Sequence, residues 1–420
     1  MSAKLKQNIS ISYVYNFFLQ LDLTSAIWVL YLAFKGMSLV EIGMIESIYH
    51  ITGLLLELPT GAFADLYGRK FCVVLGRVVN ILSCILMITS SSFIGFALSF
   101  ILGCAARNLN SGASEALVYD SLKELGEEEK YKKIWGELAF IMSIAQGLAV
   151  LLGGILADIQ FLYAYILGTV IQIVALLISF NFSEPSIGNN KLKKGEEQKE
   201  NKEENKEEKL NLKEKIFINQ LITSINVLKD RKIVLYIIMF SALVGSLQTT
   251  VFFYSQQYFS DLSYSKTEIA MICALGSLIE AVSSKYAYQF EKRLKIKGTL
   301  IIISTVNILA LAGLSIVKEF SILFFLLTSV TGGLAFTIFS DYINTRIPSE
   351  HRATILSFDS LCFSLFMICV FPLFGVLAEH VGFSITFGVI AIIYIPAMIF
   401  LLLKLRKHKN MEIKEVSIRI

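Results

Sequence analysis

The sequence predicts an all-helical integral membrane protein with about twelve spans, on the strength of its composition and of its recurring apolar runs. Hydrophobic residues make up 55% of the 420 residues and charged residues only 17%, below the roughly 25% usual in soluble domains. The mean hydropathy is +0.64. Apolar runs of about 20 residues, each long enough to cross a bilayer, recur along the chain. Lipid is therefore the expected solvent for most side chains.

Six spans are predicted in each half of the chain. They begin near Ile11, Val40, Phe71, Phe93, Ile134 and Phe161 in the first half and near Ile233, Thr267, Thr299, Phe320, Ala353 and Phe383 in the second. The stretch between the halves is rich in Lys and Glu and poor in apolar residues, which indicates a solvated linker. We expect an N-terminal six-helix bundle over residues 1–184, a linker over 185–232, a C-terminal bundle over 233–405 and a tail over 406–420.

The distribution of Lys and Arg predicts the orientation, because cytoplasmic loops carry the basic excess. Basic clusters follow alternate spans, at residues 69–70, 123–133, 292–297, 346–352 and 404–409, and occur in the linker. The opposite loops hold little beyond Lys35, Lys266 and Lys318. Both termini and the linker are therefore expected in the cytoplasm of a plasma-membrane protein. The first apolar run has no cleavage site for a signal peptide and should remain as a span.

An internal repeat relates the two halves. GGILAD, ending at Asp158, resembles FGVLAE, ending at Glu379. SLVEIGMI from Ser38 resembles SKTEIAMI from Ser265 at nearly the same offset. Parallel repeats with a substrate site between them near the membrane midplane are an architecture of secondary transporters.

The most specific local motif is GAFADLYGRK, residues 61–70, in the loop after the second span. Its spacing of glycine, aspartate, glycine, arginine and lysine resembles the signature of the major facilitator superfamily. The resemblance implies twelve helices in two pseudo-symmetric halves, transport by alternating access, and a monomer. It also implies a latch at the cytoplasmic face. The residues expected to form it are Gly61, Asp65, Gly68, Arg69, Lys70 and Asp120, with Asp341 and Arg346 as a gate pair in the second half.

Two further resemblances, the first of them only half present, concern the drug:proton antiporters. Gly153 and Gly154 match the glycine pair of the exporter motif, although Ala149 and Val150 replace its first glycine and its proline. The set of Glu57, Pro59, Asp65, Arg69 and Lys70 resembles the variant signature of the clostridial tetracycline exporters. Export of an amphipathic solute, with tetracycline among the candidates, is the function these resemblances imply.

Polar and ionisable residues within the spans are candidates for coupling, because each charge costs roughly 3 kcal/mol at membrane depth. Glu46, His50 and Glu57 fall on one stripe of the second span, where carboxylates and an imidazole could bind and release protons. In the fourth span, Arg107 and Asn110 fall on one predicted polar face, and Arg107 either serves as a coupling cation or neutralises Glu115. The remaining candidates are Asp22, Gln248 and Glu280.

Other classes of function find no support in the sequence. It contains no phosphate-binding loop, nucleophile triad or metal-ligand spacing, so we expect no enzyme, cofactor, metal or nucleic-acid partner. The six cysteines all lie in apolar runs and are expected to pack without disulfides. The partners expected are a small-molecule substrate, protons and membrane lipid. Uptake of a sugar, peptide or organic anion with protons is the alternative, and an intramembrane enzyme or receptor is a remote one.

Overall fold

The computed structural model describes residues 2–186, 228, 232–347 and 352–418. Side chains at 2–3, 58, 61–62, 65–66, 352–354 and 406–418 lie outside that description. The predicted linker therefore lies almost wholly outside the described residues, and so does the Asp65 side chain.

The described residues form helices joined by short turns. The helices are α1 (Ser2–Gln20), α2 (Trp28–Phe34), α3 (Leu39–Tyr67), α4 (Arg69–Thr89), α5 (Phe93–Glu124), α6 (Tyr131–Ile159), α7 (Phe161–Ser179), α8 (Lys232–Asp261), α9 (Lys266–Ile316), α10 (Ser321–Arg346) and α11 (Arg352–Ile418). Short 3-10 turns at Glu128–Lys130 and Lys318–Phe320 precede α6 and α10. The prediction of an all-helical fold is confirmed for this part of the chain.

Nine helices among the described residues are long and apolar enough to cross a membrane. Two of them contain a break where the backbone leaves helical geometry. Lys295 in α9 has φ 56°, and Gly382 in α11 has φ 79°. Both breaks lie just before predicted starts of spans, near Thr299 and Phe383. Each long helix therefore consists of two segments, as the apolar runs predicted.

The first predicted span differs from the expectation. Helix α1 already begins at Ser2, and it stops at Gln20, leaving residues 21–27 as turns before the short α2. Asp22 Oδ1 stabilises this break, because it accepts hydrogen bonds from the Thr24 backbone N–H at 3.0 Å and from Thr24 Oγ1 at 2.7 Å. Leu23, inside the break, is fully buried, so the hydropathy pattern gave no signal of it.

The described residues divide into two compact units. The first contains residues 2–37, 48–186 and 264–271, and the second contains 38–47, 228, 232–263, 272–347 and 352–418. The first turns of α3 thus belong to the second unit, and the first turns of α9 to the first. These two short segments are the ones that the repeat SLVEIGMI and SKTEIAMI identified.

The core of the first unit lies where α1, α4, α5 and α7 meet. Tyr15 is fully buried there and packs edge-on against Phe182, with ring centroids 5.3 Å apart. Helices α4 and α5 approach closely at Gly76, where a Cβ would lie 3.1 Å from the Ala106 carbonyl oxygen. This contact holds the N-terminal part of α4, which begins at the motif residue Arg69, beside α5.

The core of the second unit is aromatic. Tyr254 of α8 lies against Phe371 and Phe374 of α11, with ring centroids 4.5 and 4.9 Å apart. Its buried hydroxyl donates to the carbonyls of Phe371 and Leu39, at 3.2 and 3.1 Å. Pairs of this kind contribute about 0.5–1.5 kcal/mol each beyond their area burial, so they anchor α8 on α11.

Candidate functional site

The signature residues make the contact that the resemblance implied. The Arg69 guanidinium lies 2.9 Å from Asp120 Oδ2, and the two side chains are only 12% and 9% exposed. Gly68, just before Arg69, has φ 92°, a conformation that glycine adopts without strain. The glycine therefore turns the chain sharply between α3 and α4 and lets Arg69 start the new helix beside α5.

Glu184, which sequence reasoning missed, completes this end of the first unit. Its two carboxylate oxygens accept the backbone N–H groups of Arg69 at 2.9 Å and Lys70 at 2.7 Å. A Cβ on Gly68 would lie 3.1 Å from the Glu184 carboxyl carbon, so glycine is needed for the approach. A carboxylate at a helix N-terminus is stabilised by the unpaired N–H groups and by the helix dipole. The only signal in the sequence was a carboxylate directly after the sixth predicted span. Its partner could not be inferred, because Arg69 lies 115 residues earlier in the chain.

Asp341 and Arg346, the gate residues expected in the second half, both lie near the end of α10. Among the described residues no ion pair joins Asp341 to Arg346. The Arg346 guanidinium instead lies 4.4 Å from the centroid of the Tyr342 ring, while Asp341 is exposed. The two residues are five apart on α10, so their side chains leave the helix in different directions. The part of these two residues in a cytoplasmic gate stays a prediction.

The predicted polar face of α5 separates into two environments. Arg107 is exposed and donates to the Tyr49 hydroxyl of α3 at 3.2 Å. Asn110, by contrast, is buried in the core and accepts a hydrogen bond from the Tyr15 hydroxyl. A three-residue step rotates the helix by about 300°, which was enough to place Asn110 on the packed side. Glu115 accepts from the Tyr131 hydroxyl at 2.7 Å.

The predicted stripe on α3 runs from a buried position to an exposed one. Glu46 is 6% exposed, His50 is half-buried, and Glu57 is exposed. No described residue makes a hydrogen bond or ion pair with the Glu57 side chain. All three residues lie on one continuous helix, as the spacing predicted, and their part in transport stays a prediction.

Glu280 and Gln248 are brought together in the second unit. The position that a Cβ on Gly332 would take is 3.5 Å from both Gln248 Oε1 and Glu280 Oε1. Gln248 Nε2 donates to Thr331 Oγ1 at 3.0 Å, and this hydroxyl donates in turn to Asn307 Oδ1 at 2.6 Å. The Gln248 amide nitrogen is thus engaged with Thr331, and its amide oxygen lies on the Gly332 side, as Glu280 Oε1 does.

No described Lys, Arg or His side chain forms an ion pair with Glu280. Its side chain is exposed, and no described residue makes a hydrogen bond or ion pair with it. Glu280 lies about 21 Å from the start of α9 at Lys266 and about 22 Å from the break at Lys295, at 1.5 Å per residue. A carboxylate without a partner among the described residues thus lies midway along the first segment of a candidate membrane span.

Arg77 on α4 is a second residue that sequence reasoning missed. It is 4% exposed inside a candidate span, and its guanidinium donates to Gln172 Oε1 of α7 at 2.8 Å. Its Nε is buried and has no hydrogen-bond partner among the described residues. A single arginine in the apolar run LGRVVN was the signal available. Ionisable residues at this depth are functional candidates by default.

The glycine pair of α6 serves close packing. A Cβ on Gly153 would lie 1.9 Å from the Leu23 carbonyl oxygen, in the break between α1 and α2. This contact accounts for Gly153 without reference to the exporter motif. Elsewhere in the described part of the chain, no group of three His, Cys, Asp or Glu side chains is arranged to hold a metal ion.

Comparison with known proteins decides the family. Residues 10–358 and 317–417 match the Major Facilitator Superfamily. The chain belongs to this superfamily. It is therefore a multi-pass membrane transporter, and transporters of this kind bind small-molecule substrates.

The individual similarities are distant but span nearly the whole chain. The chain is 22% identical over 401 residues to the uncharacterized MFS-type transporter YxaM of Bacillus subtilis. The matched region covers 94% of this chain and 95% of YxaM. Its fold is similar to that of the nucleoside transporter NupG, with a TM-score of 0.70, 13% identity, and 97% and 98% of the two chains covered. It is also similar to a D-xylose–proton symporter, with a TM-score of 0.65, 14% identity, and 95% and 96% covered.

Proposed function

We propose that this chain is a proton-coupled secondary active transporter that works by alternating access and exports a small amphipathic solute. In this proposal α1 and α2 cross the membrane together once, and the broken helices α9 and α11 cross twice each. The count is then twelve spans in two six-helix halves, with both termini and the linker in the cytoplasm, where the basic loops belong. The Arg69 and Asp120 pair is the cytoplasmic latch.

The observation that carries proton coupling is the Glu280 carboxylate, which has no hydrogen-bond or ion-pair partner among the described residues and lies, like Gln248 Oε1, 3.5 Å from the Cβ position of Gly332. Both oxygens are hydrogen-bond acceptors while Glu280 is ionised, so neither can donate to the other. An ionised carboxylate at membrane depth costs roughly 3 kcal/mol. A proton on Glu280 removes this charge and supplies a hydrogen-bond donor for the amide oxygen. Binding and release of that proton would therefore change both the charge and the hydrogen bonding between α8 and α9.

The other candidates take supporting roles in this proposal. Glu57 is a second carboxylate without a described partner and stays a candidate proton carrier on α3. Arg107, exposed and bonded to Tyr49, is the candidate coupling cation. Asp22 is engaged with Thr24 in the break after α1, so its contribution is to hold that turn.

Proton-coupled uptake is the second candidate. The similar structures include a nucleoside transporter and a D-xylose–proton symporter, which favours a polar nutrient as the solute. These similarities concern the fold alone. Since packing accounts for Gly153, the exporter motif carries less weight for the direction of transport than the sequence suggested.

Flux in proteoliposomes under an imposed pH gradient tests the proposal. Tetracycline, lipophilic cations, nucleosides and pentoses would be compared for wild type, Glu280→Gln and the matched control Glu319→Gln, in the turn before α10. We expect Glu280→Gln to lose gradient-driven flux but keep solute exchange without a gradient, whereas Glu319→Gln behaves like wild type. Solute moving against the proton flow means export, and solute moving with it means uptake. Unchanged pH dependence in Glu280→Gln would refute the role of this carboxylate.

A further inference from the structure

The two sequence repeats begin their helices with the same local structure. At the start of α3, Ser38 Oγ accepts the Glu41 backbone N–H at 3.2 Å and Glu41 Oε2 accepts the Ser38 N–H at 2.9 Å. At the start of α9, Ser265 and Glu268 make the same exchange at 3.2 and 2.8 Å. This is a capping box, and it leaves the other N–H groups of the first turn without a partner inside the helix.

A carboxylate from a different helix binds one or two of these remaining N–H groups in each case. Asp158, at the end of α6, accepts the Lys266 N–H at 2.7 Å and the Thr267 N–H at 2.8 Å. Glu379, just before the break in α11, accepts the Val40 N–H at 3.0 Å. Charge-assisted hydrogen bonds of this kind are about twice as strong as neutral ones.

A glycine four residues before each carboxylate permits the approach. A Cβ on Gly154 would lie 2.8 Å from the Lys266 carbonyl oxygen and 2.3 Å from Ala270 Cβ. A Cβ on Gly375 would lie 2.4 Å from the Leu39 carbonyl oxygen. Residues four apart share one face of a helix, so the glycine and the carboxylate meet the same partner helix together. We call each such set a glycine–carboxylate clamp.

The clamps connect opposite sequence repeats. Gly154 and Asp158 lie in the first repeat and hold the start of α9, whereas Gly375 and Glu379 lie in the second repeat and hold the start of α3. Both clamps lie at the helix ends remote from the signature. Helix α3 runs from its clamp to Tyr67 next to the signature arginine, and α6 runs from the signature side to its clamp.

We propose that the two glycine–carboxylate clamps form a latch that closes the transporter on the side opposite the Arg69 and Asp120 pair. The latch rests on the proposed alternating access, because moving the repeats apart on that side requires both clamps to open. The clamp at Asp158 is the stronger one. It uses two N–H groups and has the Lys266 ammonium 3.9 Å away, while Glu379 uses one N–H.

Spin-label distances test the latch in the full-length protein. In a variant with its native cysteines replaced, labels at Gln160 and Asp261 report on the clamp at Asp158. We expect the purified protein to populate mainly the short distance. Asp158→Asn should raise the long-distance population about tenfold, since it removes the charge and one acceptor. Labels at Phe34 and His380 report on the other clamp, where Glu379→Gln should have a smaller effect.

A steric variant separates the clamps from a general effect of charge. Gly375→Ala leaves every charge in place but blocks the approach to Leu39, so it should open the same clamp as Glu379→Gln. Gly147→Ala is its control, because a Cβ at Gly147 meets nothing within 4 Å. Unchanged distances in the combined Asp158→Asn and Glu379→Gln protein would overturn the latch. The assay needs neither substrate nor a proton gradient, so its failure is distinguishable from failure of proton-coupled transport.

Discussion

Replacing Gly153 by alanine tests whether α6 is held against the break in the first span. A Cβ at this position would lie 1.9 Å from the Leu23 carbonyl oxygen, far inside van der Waals contact. The atom in the way belongs to the backbone, so it cannot rotate aside as a side chain would. Gly147, six residues earlier on the same helix, is exposed and has open space around its Cβ position.

The size of the effect follows from two opposing contributions. Replacing glycine by alanine in a helix interior raises the free energy of unfolding by about 1 kcal/mol, and this gain applies to both substitutions. Overpacking costs about 1–3 kcal/mol, and the backbone contact places Gly153→Ala at the upper end. The two variants should therefore differ in free energy of unfolding by about 3 kcal/mol, with Gly147→Ala more stable than wild type and Gly153→Ala less stable.

Thermal unfolding in detergent measures this difference through the fluorescence of Trp28 and Trp135. Gly153→Ala should melt roughly 6 °C below Gly147→Ala, at about 2 °C per kcal/mol for a chain of this size. Equal melting temperatures for the two variants would refute the reasoning. They would mean that residues 21–27 can move away from α6 at no cost.

Two further substitutions probe buried polar contacts of the first unit. Glu184→Gln removes the charge that binds the N-terminus of α4 and should lower the free energy of unfolding by about 1 kcal/mol, measured as a lower melting temperature. Its control, Glu127→Gln, breaks only a surface pair with Lys130 and should leave the melting temperature unchanged. Gln172→Leu leaves the buried Arg77 guanidinium without its acceptor and should cost about 1.5–3 kcal/mol; a stability equal to wild type would show that water or lipid headgroups already solvate this arginine.

The sequence was sufficient for features that depend on local pattern. Hydropathy predicted where most of the helices begin, including the starts after the breaks at Lys295 and Gly382, because each span must bury about 20 consecutive apolar residues in lipid. The signature predicted the contact of Arg69 with Asp120. The repeat identified the segments that start α3 and α9, since capping boxes are local in sequence.

Only the tertiary structure decided which distant groups meet. Hydropathy could not locate the break after Gln20, because its apolar residues are buried against other helices. Asn110 fell on the packed side of α5 and Asp341 stayed apart from Arg346, since side-chain direction depends on helix rotation and neighbours. The contacts of Glu184 with α4 and of Asp158 with α9 join groups more than 100 residues apart. The sequence shows that each of these residues carries a carboxylate, but only the packing of the helices determines which N–H groups that carboxylate binds.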